Sequence, residues 1–509
     1  MNALTETREY RMRWITLVVI AISVLIVVLD STIVNIALPT LQRELNTTLA
    51  ELQWIITAYI MVFGALMLTT GSLADRWGRA RLLQLGIVVF AGASAAAAFA
   101  DTAWQLIMWR AVMGVGGAMI LPATLAIITN VFPRAERGKA IGVWAGLNGI
   151  GIALGPIIGG LIIDSLQWNW IFLINLPIAA VALIAGWFLV PNSRDPNPKR
   201  LDIPGTLLSI AALGSLVFGL IQGGQEGWGD PTVIATLVGA AVLIFVFILW
   251  ERHTDHPMLE IEFFKNPRFS AGVGAVCLMA LAMIGVTFGL TLYMQFVQGY
   301  TALETGLRFV PLALGILIGA STADRIVAVL GTTRVIIIGF IGTAIAGALA
   351  AFWQVETAYW QLGAIFFALG FFLGYIAAPA TDAVMGALSE AKAGIGSAMN
   401  TVSRMAAGAI GVAVIGAALS TVYSSSFGKA AAAIPNLPAE IVEAASDSVG
   451  AAVTIAQQLP APAGEVLAQI AKESFMDGWQ VMAFVTCGMS IIGAIFILRF
   501  MPPRHGPAR

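Results

Sequence analysis

Residues 14–37, WITLVVIAISVLIVVLDSTIVNIA, decide the fold class of this chain. The stretch is apolar and long enough to cross a bilayer, because about 20 such residues in a helix span the hydrocarbon core. It carries one carboxylate, Asp30. A charged side chain at the centre of a membrane helix costs roughly 2.5 to 3.5 kcal/mol, so such side chains face a protein interior and handle protons, ions or substrate. We therefore predict a membrane helix with a proton site at Asp30. The alternative is an aspartate that caps or snorkels near a helix end.

The composition of the whole chain extends this prediction. With 509 residues, 59% of them hydrophobic and 11% charged, and a mean hydropathy of +0.88, the chain lies outside the range of soluble globular proteins. We predict an all-α integral membrane protein with about 14 transmembrane helices. These begin near Trp14, Leu52, Leu82, Trp104, Lys139, Asn169, Ile203, Val233, Phe269, Ala302, Val335, Trp360, Ala393 and Gly478.

Most lysines and arginines fall in connections on one side of the predicted helices. Because cytoplasmic connections retain these residues, both termini are predicted to be cytoplasmic. The net charge of -1 and the spread of the basic residues give no reason to expect a nucleic-acid partner. Cys277 and Cys487 lie within predicted helices, so no disulfide is expected. His253, Asp255 and His256 cluster in one polar connection, but they are too few to predict a metal site.

A short internal repeat divides the chain. The sequence SLADR at 72–76 recurs as STADR at 321–325. Each copy follows the second helix of its half if helices one to six and nine to fourteen form the halves. The predicted parts are a six-helix bundle over 1–200, a two-helix insert over 201–252, and a cytoplasmic linker with a second six-helix bundle over 253–509.

A long external segment at about 424–476 precedes the last predicted helix. Pro438 and Pro462 stand where helix starts tolerate proline, so this segment is predicted to form two short amphipathic helices.

The cytoplasmic connection between helices two and three combines one aspartate with several arginines. Its site residues are Gly71, Asp75, Arg76, Gly78 and Arg79. Charge-assisted hydrogen bonds to Asp75, from these arginines or from a neighbouring helix N-terminus, would latch one conformation and break in another. The alternative is an ordinary basic loop with a capping aspartate.

Helix five carries a row of small residues and a proline: Gly151, Gly155, Pro156, Gly159 and Gly160. Small residues at these spacings let two helix backbones approach closely, and the proline removes a helical hydrogen bond. The pattern predicts a bent helix that slides against a neighbour. A simple packing motif is the alternative.

Two arginines within predicted helices require acceptors, because a guanidinium stays charged. Asp30 is the predicted acceptor for Arg110 in helix four. Protonation of Asp30 would loosen such a pair, which provides a physical basis for exchanging a proton against a substrate. For Arg404 in helix thirteen, the candidates are Asp382 and backbone carbonyls, with Asn400 as a further polar residue of a possible second coupling site.

The same residues carry a family resemblance along nearly the whole chain. The helix-one sequence LDSTIVNIALP at 29–39, the loop at 71–81 and the GIALGPIIGG sequence at 151–160 resemble the motifs of fourteen-helix drug:proton antiporters of the major facilitator superfamily, the QacA/EmrB-like group. Further matches are Arg110, Gly114, Gly117, Pro122, Asn400, Arg404 and Gly411. The chain departs from the group at Met113, where glutamine is frequent, and at Asn169, where arginine is usual.

The resemblance implies a major facilitator superfamily fold with two six-helix bundles and alternating access. It also implies proton-coupled efflux, in which Asp30 exchanges protons, Arg110 adjusts its proton affinity, the loop at 71–81 gates and helix five flexes. No GxxxxGK motif occurs, so we expect no cofactor and transport driven by the proton motive force. We expect a protein of the cell inner membrane, surrounded by lipids and functional as a monomer.

One intramembrane carboxylate, together with many Phe, Trp and Met residues, favours lipophilic monovalent cations and neutral amphiphiles as substrates. The alternative is export of one physiological compound, such as a lipid, a siderophore or a secondary metabolite. A remote alternative is a membrane sensor or scaffold that does not transport. An enzyme is not expected, since no nucleophile with a partnered base is found.

Overall fold

The computed structural model describes residues 8–195, 201–388, 393–432, 438–460 and 462–502. Within these ranges it contains 14 helical segments that are long and apolar enough to cross a membrane, which confirms the predicted fold class. The first six crossings use α1 (Arg8–Leu45), α2 (Leu49–Trp77), α3 (Arg79–Ala97), α4 (Ala103–Val131), α5 (Arg134–Ser165), and the pair α6 (Trp170–Leu173) and α7 (Asn175–Leu189). The next two are α8 (Ile203–Gln225) and α9 (Pro231–His253).

The last six crossings begin with α10 (Pro267–Leu292), and α11 (Ala302–Arg308) and α12 (Val310–Leu330) together form the next one. They continue through α13 (Thr332–Ala350), α14 (Tyr359–Gly386), α15 (Ala393–Ala431) and α18 (Ala463–Phe500). The short helices α16 (Ala439–Ser446) and α17 (Val449–Ala456) lie between α15 and α18. Fourteen crossings return the chain to its starting side, which we call the termini side.

Polar caps explain several helix starts. Thr48 and Glu51 form a capping box at α2, in which each side chain accepts from the other's backbone N–H at 3.2 and 2.9 Å. Asp230 caps α9 just before Pro231, and Asn266 caps α10 just before Pro267. These caps satisfy the orphan N–H groups at the helix starts.

The repeated SLADR and STADR sequences lie near the ends of equivalent helices, since α2 ends one residue after Arg76 and α12 ends five residues after Arg325. After α2, Gly78 adopts φ +112°, and after α12, Gly331 adopts φ +82°. Side chains disfavour this left-handed region, so glycine suits both positions. The second crossing of each half therefore stops in the same way.

The segment predicted at 424–476 is shorter in the structure. It does contain two short helices, but the second, α17, begins after Ser448, and Pro462 instead caps the long helix α18. Helix α15 continues to Ala431, and α18 begins at Ala463 rather than near Gly478. Both helices extend beyond their apolar cores, where hydropathy no longer marks them.

The two halves meet on the side opposite the termini. The Asp164 carboxylate at the end of α5 accepts hydrogen bonds from the backbone N–H groups of Ala302 and Leu303 at 3.2 and 3.1 Å. Gln295 donates to the carbonyl of Ile36 at 2.8 Å. On the termini side the halves surround a cavity of about 2400 Å³. The structure is therefore open on the termini side and closed on the opposite side.

Candidate functional site

Asp30 lies on α1 with a fully buried side chain. Its Oδ2 accepts a hydrogen bond from Nη1 of Arg110 on α4, and the two form an ion pair. Its Oδ1 accepts from Nδ2 of Asn175 on α7 at 3.3 Å. The structure thus brings Asp30 and Arg110 together, and it adds a third polar group. Both carboxylate oxygens have donors, which offsets the cost of removing the charge from water.

Arg110 is fixed by contacts other than Asp30. Its Nε donates to the carbonyl of Ile55 at 3.2 Å, and its guanidinium carbon lies 4.3 Å from the centre of the Tyr59 ring. The sulfur of Met113, where the sequence departs from the resembled antiporter motif, lies 4.0 Å from Nη1. A backbone carbonyl and an aromatic face therefore accompany the arginine. Neither of these contacts involves Asp30.

Asn175 is a site residue that the sequence analysis missed. Its Nδ2 also donates to Oγ of Ser94 at 3.0 Å, and Ser94 donates to the carbonyl of Phe172 at 2.9 Å. Among the described residues, the buried Oδ1 of Asn175 has no hydrogen-bond partner. The available signal was the same as for Asp30, namely a polar residue inside an apolar crossing.

Neither member of the ion pair reaches water. Asp30 is 0% exposed and Arg110 is 1% exposed, and neither belongs to the residues that line the large cavity. In this conformation the pair is sealed inside the first half. Exchange of a proton with either side requires a movement of the surrounding helices.

Three of the helix-five glycines face α1 beside Asp30. A Cβ added at Gly151 would lie 3.0 Å from the side chains of Leu25 and Val28, and one at Gly159 would lie 3.2 Å from Cα of Ile33. At Gly155 it would lie 2.8 Å from Cβ of Thr32. The contacted α1 residues precede and follow Asp30, so α5 packs directly behind the turn that carries the carboxylate.

The remaining residues of this motif face the second half. A Cβ at Gly160 would lie 2.5 Å from Cα of Leu303, and the carbonyl of Pro156 lies against Gly306. Helix five therefore joins the wall of the charged site to the closed contact between the halves.

The predicted gating loop makes its contacts within the first half. Nη2 and Nε of Arg79 donate to Oδ1 of Asp75 at 2.9 and 3.0 Å, and Nη1 donates to the carbonyl of Ala126 at 3.3 Å. Arg76 is exposed, and Gly71 lines the cavity. In the described part of the chain, Arg79 is the side-chain partner of Asp75. A latch from Asp75 to the second half is not formed in this conformation.

Arg404 differs from its predicted setting. It is exposed, and among the described residues it has no hydrogen bond or ion pair with Asp382 or with a backbone carbonyl. Ser397 and Thr401, about two turns and one turn earlier on α15, line the cavity, so Arg404 lies on the same helix face. Its side chain is therefore not enclosed by the packed helices.

The other two residues of the possible second site lie near the termini-side ends of their helices. Asp382 is exposed on α14. Asn400 donates to Oγ1 of Thr381 at 3.4 Å. The structure does not assemble these residues with Arg404 into a site comparable to the buried pair.

The cavity combines apolar and charged walls. Its apolar lining includes Met67, Leu121, Trp144, Phe264 and Met385, contributed by both halves and by the connection after α9. The charged lining residues are Asp75, Arg79, Arg137, Asp195, Asp202, Glu251, Arg252, Asp255, Glu260, Glu262 and Lys265. Carboxylates outnumber basic groups in this set. Such a cavity suits an amphipathic molecule that is neutral or positively charged.

Known proteins resemble this chain over most of its length. The tetracenomycin C resistance and export protein of Streptomyces glaucescens is 30% identical over 97% of this chain and 93% of its own length. The puromycin resistance protein of Streptomyces alboniger is 35% identical, with 79% and 81% covered. The multidrug efflux pump LfrA of Mycolicibacterium smegmatis is 30% identical, with 97% of each chain covered.

A solved structure has the same fold. A bacterial homolog of the human lysosomal transporter Spinster, in an inward-facing and unoccupied conformation, aligns with a TM-score of 0.66 at 15% identity, over 99% of this chain and 100% of that chain. The family pattern of the Major Facilitator Superfamily matches residues 20–412. These findings confirm the resemblance drawn from the sequence motifs. The chain is a multi-pass membrane protein and belongs to the Major Facilitator Superfamily.

Proposed function

We propose that this protein is a proton-coupled exporter of lipophilic drugs that works by alternating access across the cell inner membrane. The observation that carries the proposal is the sealed Asp30–Arg110 ion pair, supported by Asn175, inside an otherwise apolar bundle. A buried carboxylate with this partner is costly to build and is typical of proton-handling transporters. Drug export is supported by the resistance and efflux relatives.

The termini side is the cytoplasmic side in this proposal, because the basic connections lie there. The structure then corresponds to the state that receives substrate from the cytoplasm or from the inner leaflet. Return to this state after release requires the contact at Asp164 to re-form on the outer side.

The proton acts by neutralising Asp30. Arg110 keeps Ile55 and Tyr59 as partners, so α1 can move relative to α4 once the ion pair is weakened. The small residues of α5 let α1 slide behind Asp30 and transmit that movement to the contact with α11. When one proton exchanges for a neutral substrate, a potential of 100 mV supplies about 2.3 kcal/mol, enough for roughly fiftyfold accumulation. Exchange of one proton for a monovalent cation moves no net charge, so the pH gradient alone drives it.

Lipophilic monovalent cations and neutral amphiphiles are the proposed substrates. The apolar walls and the excess of carboxylates in the cavity support this class. Export of one dedicated compound is the second candidate, because two of the relatives are named for resistance to a single antibiotic. No enzymatic activity, metal or cofactor is part of the proposal.

The test is ethidium efflux from cells that express wild type or Asp30→Asn, first de-energised and then re-energised. Asp101→Asn is the matched control, because it makes the same substitution at an exposed position outside the buried pair. Efflux that a protonophore abolishes, and that is lost in Asp30→Asn but kept in Asp101→Asn, supports the proposal. Energised efflux that persists in Asp30→Asn contradicts the assigned proton site. No efflux of ethidium or of a panel of lipophilic cations by wild type favours a dedicated substrate.

A further inference from the structure

Two buried carboxyl groups face each other at the termini-side end of the insert, away from Asp30. Asp202 caps α8 and is 8% exposed, and Glu251 in the last turns of α9 is 3% exposed. A Cβ added at Gly205 would lie 2.7 Å from Oε1 of Glu251 and 2.8 Å from Cγ of Asp202, so both carboxyl groups lie against the same glycine. We call these two residues the acid pair.

Each member of the acid pair has donors on one oxygen only. Oδ1 of Asp202 accepts from the N–H of Gly205 and from Nε1 of Trp250, both at 2.9 Å. Oε2 of Glu251 accepts from the N–H of Leu259 at 2.8 Å. Among the described residues, the other two oxygens, Oδ2 of Asp202 and Oε1 of Glu251, are buried without a hydrogen-bond partner. Two adjacent unpartnered carboxylate oxygens repel each other unless something positive lies between them.

A single proton bound between the two unpartnered oxygens removes this repulsion. Oδ2 of Asp202 and Oε1 of Glu251 converge on Gly205, so a proton on one carboxyl group can be donated to the other. Bound cations such as Mg²⁺ and Ca²⁺ need six or more oxygen ligands, and in the described chain no group of three or more His, Cys, Asp or Glu residues could hold a metal. A carboxylic acid donating to a carboxylate is the arrangement by which two close acids avoid mutual repulsion.

The acid pair also holds the connection between the insert and the second half, residues 254–266, which we call the linker. The N–H of Leu259 binds Glu251, and the sulfur of Met258 lies 3.5 Å from Oγ1 of Thr69 on α2 and 3.7 Å from Oγ1 of Thr206 on α8. The linker therefore contacts α2, α8 and α9 before the chain continues into α10.

We propose that Asp202 and Glu251 form a second proton-binding site, which holds one proton between the two carboxyl groups and in that state clasps the linker to the insert. The proton comes from water in the cavity that both residues line, and it returns there. When it leaves, the two carboxylates repel. Asp202 has two donors and stays, so Glu251, with its longer side chain, rotates into the cavity and Leu259 loses its acceptor. The linker is then free to move with the second half.

Asp202 is the charged group whose field acts on Glu251. The other titratable and charged groups that border the cavity are Asp75 on α2, Arg137 on α5, Asp195 before α8, Arg252 on α9, and Asp255, His256, Glu260, Glu262 and Lys265 in the linker. The clasp is therefore expected to close at acidic pH and to open as the pH of the termini side rises.

The test is hydrogen exchange of the peptide containing Met258 and Leu259 in the full-length purified protein, corrected for the intrinsic effect of pH. In wild type we expect protection to fall about tenfold from pH 6 to pH 9, as loss of a hydrogen bond to a charged group predicts. In Glu251→Gln the amide donates to Asp202 permanently, so protection stays high at every pH. Asp202→Asn, the second variant, is expected to behave in the same way. Glu262→Gln, which removes an exposed linker carboxylate paired with Lys265, should keep the wild-type response.

Infrared spectroscopy reads the proton itself. A carboxylic acid band that disappears as the pH rises should be absent from Glu251→Gln and from Asp202→Asn and present in Asp30→Asn. Protection that is independent of pH in wild type, or equally dependent on pH in Glu251→Gln, overturns the proposal. Neither measurement requires transport, so failure of this site and failure of the proposed export function are distinguishable.

Discussion

The two halves of the molecule place an intramembrane arginine in opposite environments, one buried and one exposed. In the first half, Arg110 is 1% exposed, pairs with Asp30 and lies over the Tyr59 ring. In the second half, Arg404 is exposed on the face of α15 that lines the cavity, without a partner among the described residues. The halves share a repeated sequence and equivalent helix ends, yet only the first encloses its charge.

This difference separates two tasks. An enclosed ion pair depends on the protonation of its acid, because neither partner can turn to water. An exposed guanidinium is not held by neighbouring side chains, and it remains available to an acceptor group on a bound molecule. The first half is therefore suited to hold the proton, and the second half is suited to expose the Arg404 guanidinium to the cavity.

The largest expected difference in stability between the two halves comes from replacing each arginine in turn. Arg110→Ala leaves the Asp30 carboxylate buried without its partner, and loss of one member of a buried pair costs about 3 to 5 kcal/mol. Arg404→Ala is expected to change the free energy of unfolding by less than about 0.5 kcal/mol, as at other exposed positions. Unfolding in increasing SDS, with both variants in the same detergent, measures the difference. Equal destabilisation by the two substitutions would contradict the contrast.

Replacing Asn175, the third member of the buried site, is expected to lower the stability by a smaller amount. Asn175→Ala removes a donor to a carboxylate, a bond that contributes about 1.5 to 3 kcal/mol. Asn148→Ala is the control, because the Asn148 amide donates at 2.9 Å to the neutral carbonyl of Trp144 on its own helix. The same SDS titration should show a clear loss for Asn175→Ala and at most about 1 kcal/mol for the control. A loss no larger than that of the control would remove Asn175 from the site.

Helix five tests whether the wall behind Asp30 is tightly packed. Gly155→Ala forces a methyl group against Thr32, and overpacking of this kind costs about 1 to 3 kcal/mol. Gly149→Ala, on the same helix with nothing within 4 Å of an added Cβ, should be neutral or slightly stabilising. Stability and ethidium efflux should both fall in Gly155→Ala alone. Wild-type stability and ethidium efflux in both variants would show that α1 and α5 tolerate separation at this point.

The smallest expected effect lies on the side opposite the termini. Burial raises the pKa of Asp447, between α16 and α17, and nearby Glu51 adds to the rise, whereas the N–H of Leu49 and the Ser448 side chain oppose it. A raised pKa means that the docked segment binds the proton more tightly than a released one. Docking is therefore favoured at acidic pH and weakens as the pH rises through the raised value. Each pKa unit of difference corresponds to about 1.4 kcal/mol.

Hydrogen exchange of α17 measures this docking. In wild type, its protection should decline as the pH rises, after correction for intrinsic exchange, and in Asp447→Asn the decline should disappear. The side chain of Gln42 also ties the segment to α1, because its Nε2 donates to Oγ of Ser448 at 2.5 Å. An unchanged pH dependence in Asp447→Asn would assign the effect to another group.

Much of the first half could be predicted from the sequence, because its signals are local or chemically obligatory. The length of the apolar stretches located the crossings. Asp30 and Arg110 carry opposite charges inside the membrane, so each was expected to need the other as a partner. Asn175 was missed because a neutral amide does not demand a partner and its rotational position on α7 is set by tertiary packing. Neither candidate acceptor of Arg404, Asp382 or a backbone carbonyl, contacts it among the described residues, because sequence does not show which helix face opens onto a cavity. The start of α18 was misplaced because its first turns are amphipathic and lie beyond the apolar core.

The most direct test of the central claim uses purified protein in liposomes with a pH gradient, comparing wild type with Asp30→Asn. Wild type should accumulate ethidium against its gradient when the pH gradient is imposed, and should also exchange labelled for unlabelled ethidium without one. Asp30→Asn should keep the exchange and lose the accumulation, because the amide preserves a hydrogen-bonded site but cannot carry a proton. Accumulation by Asp30→Asn at the wild-type level would contradict the assignment of the coupling proton to the buried pair.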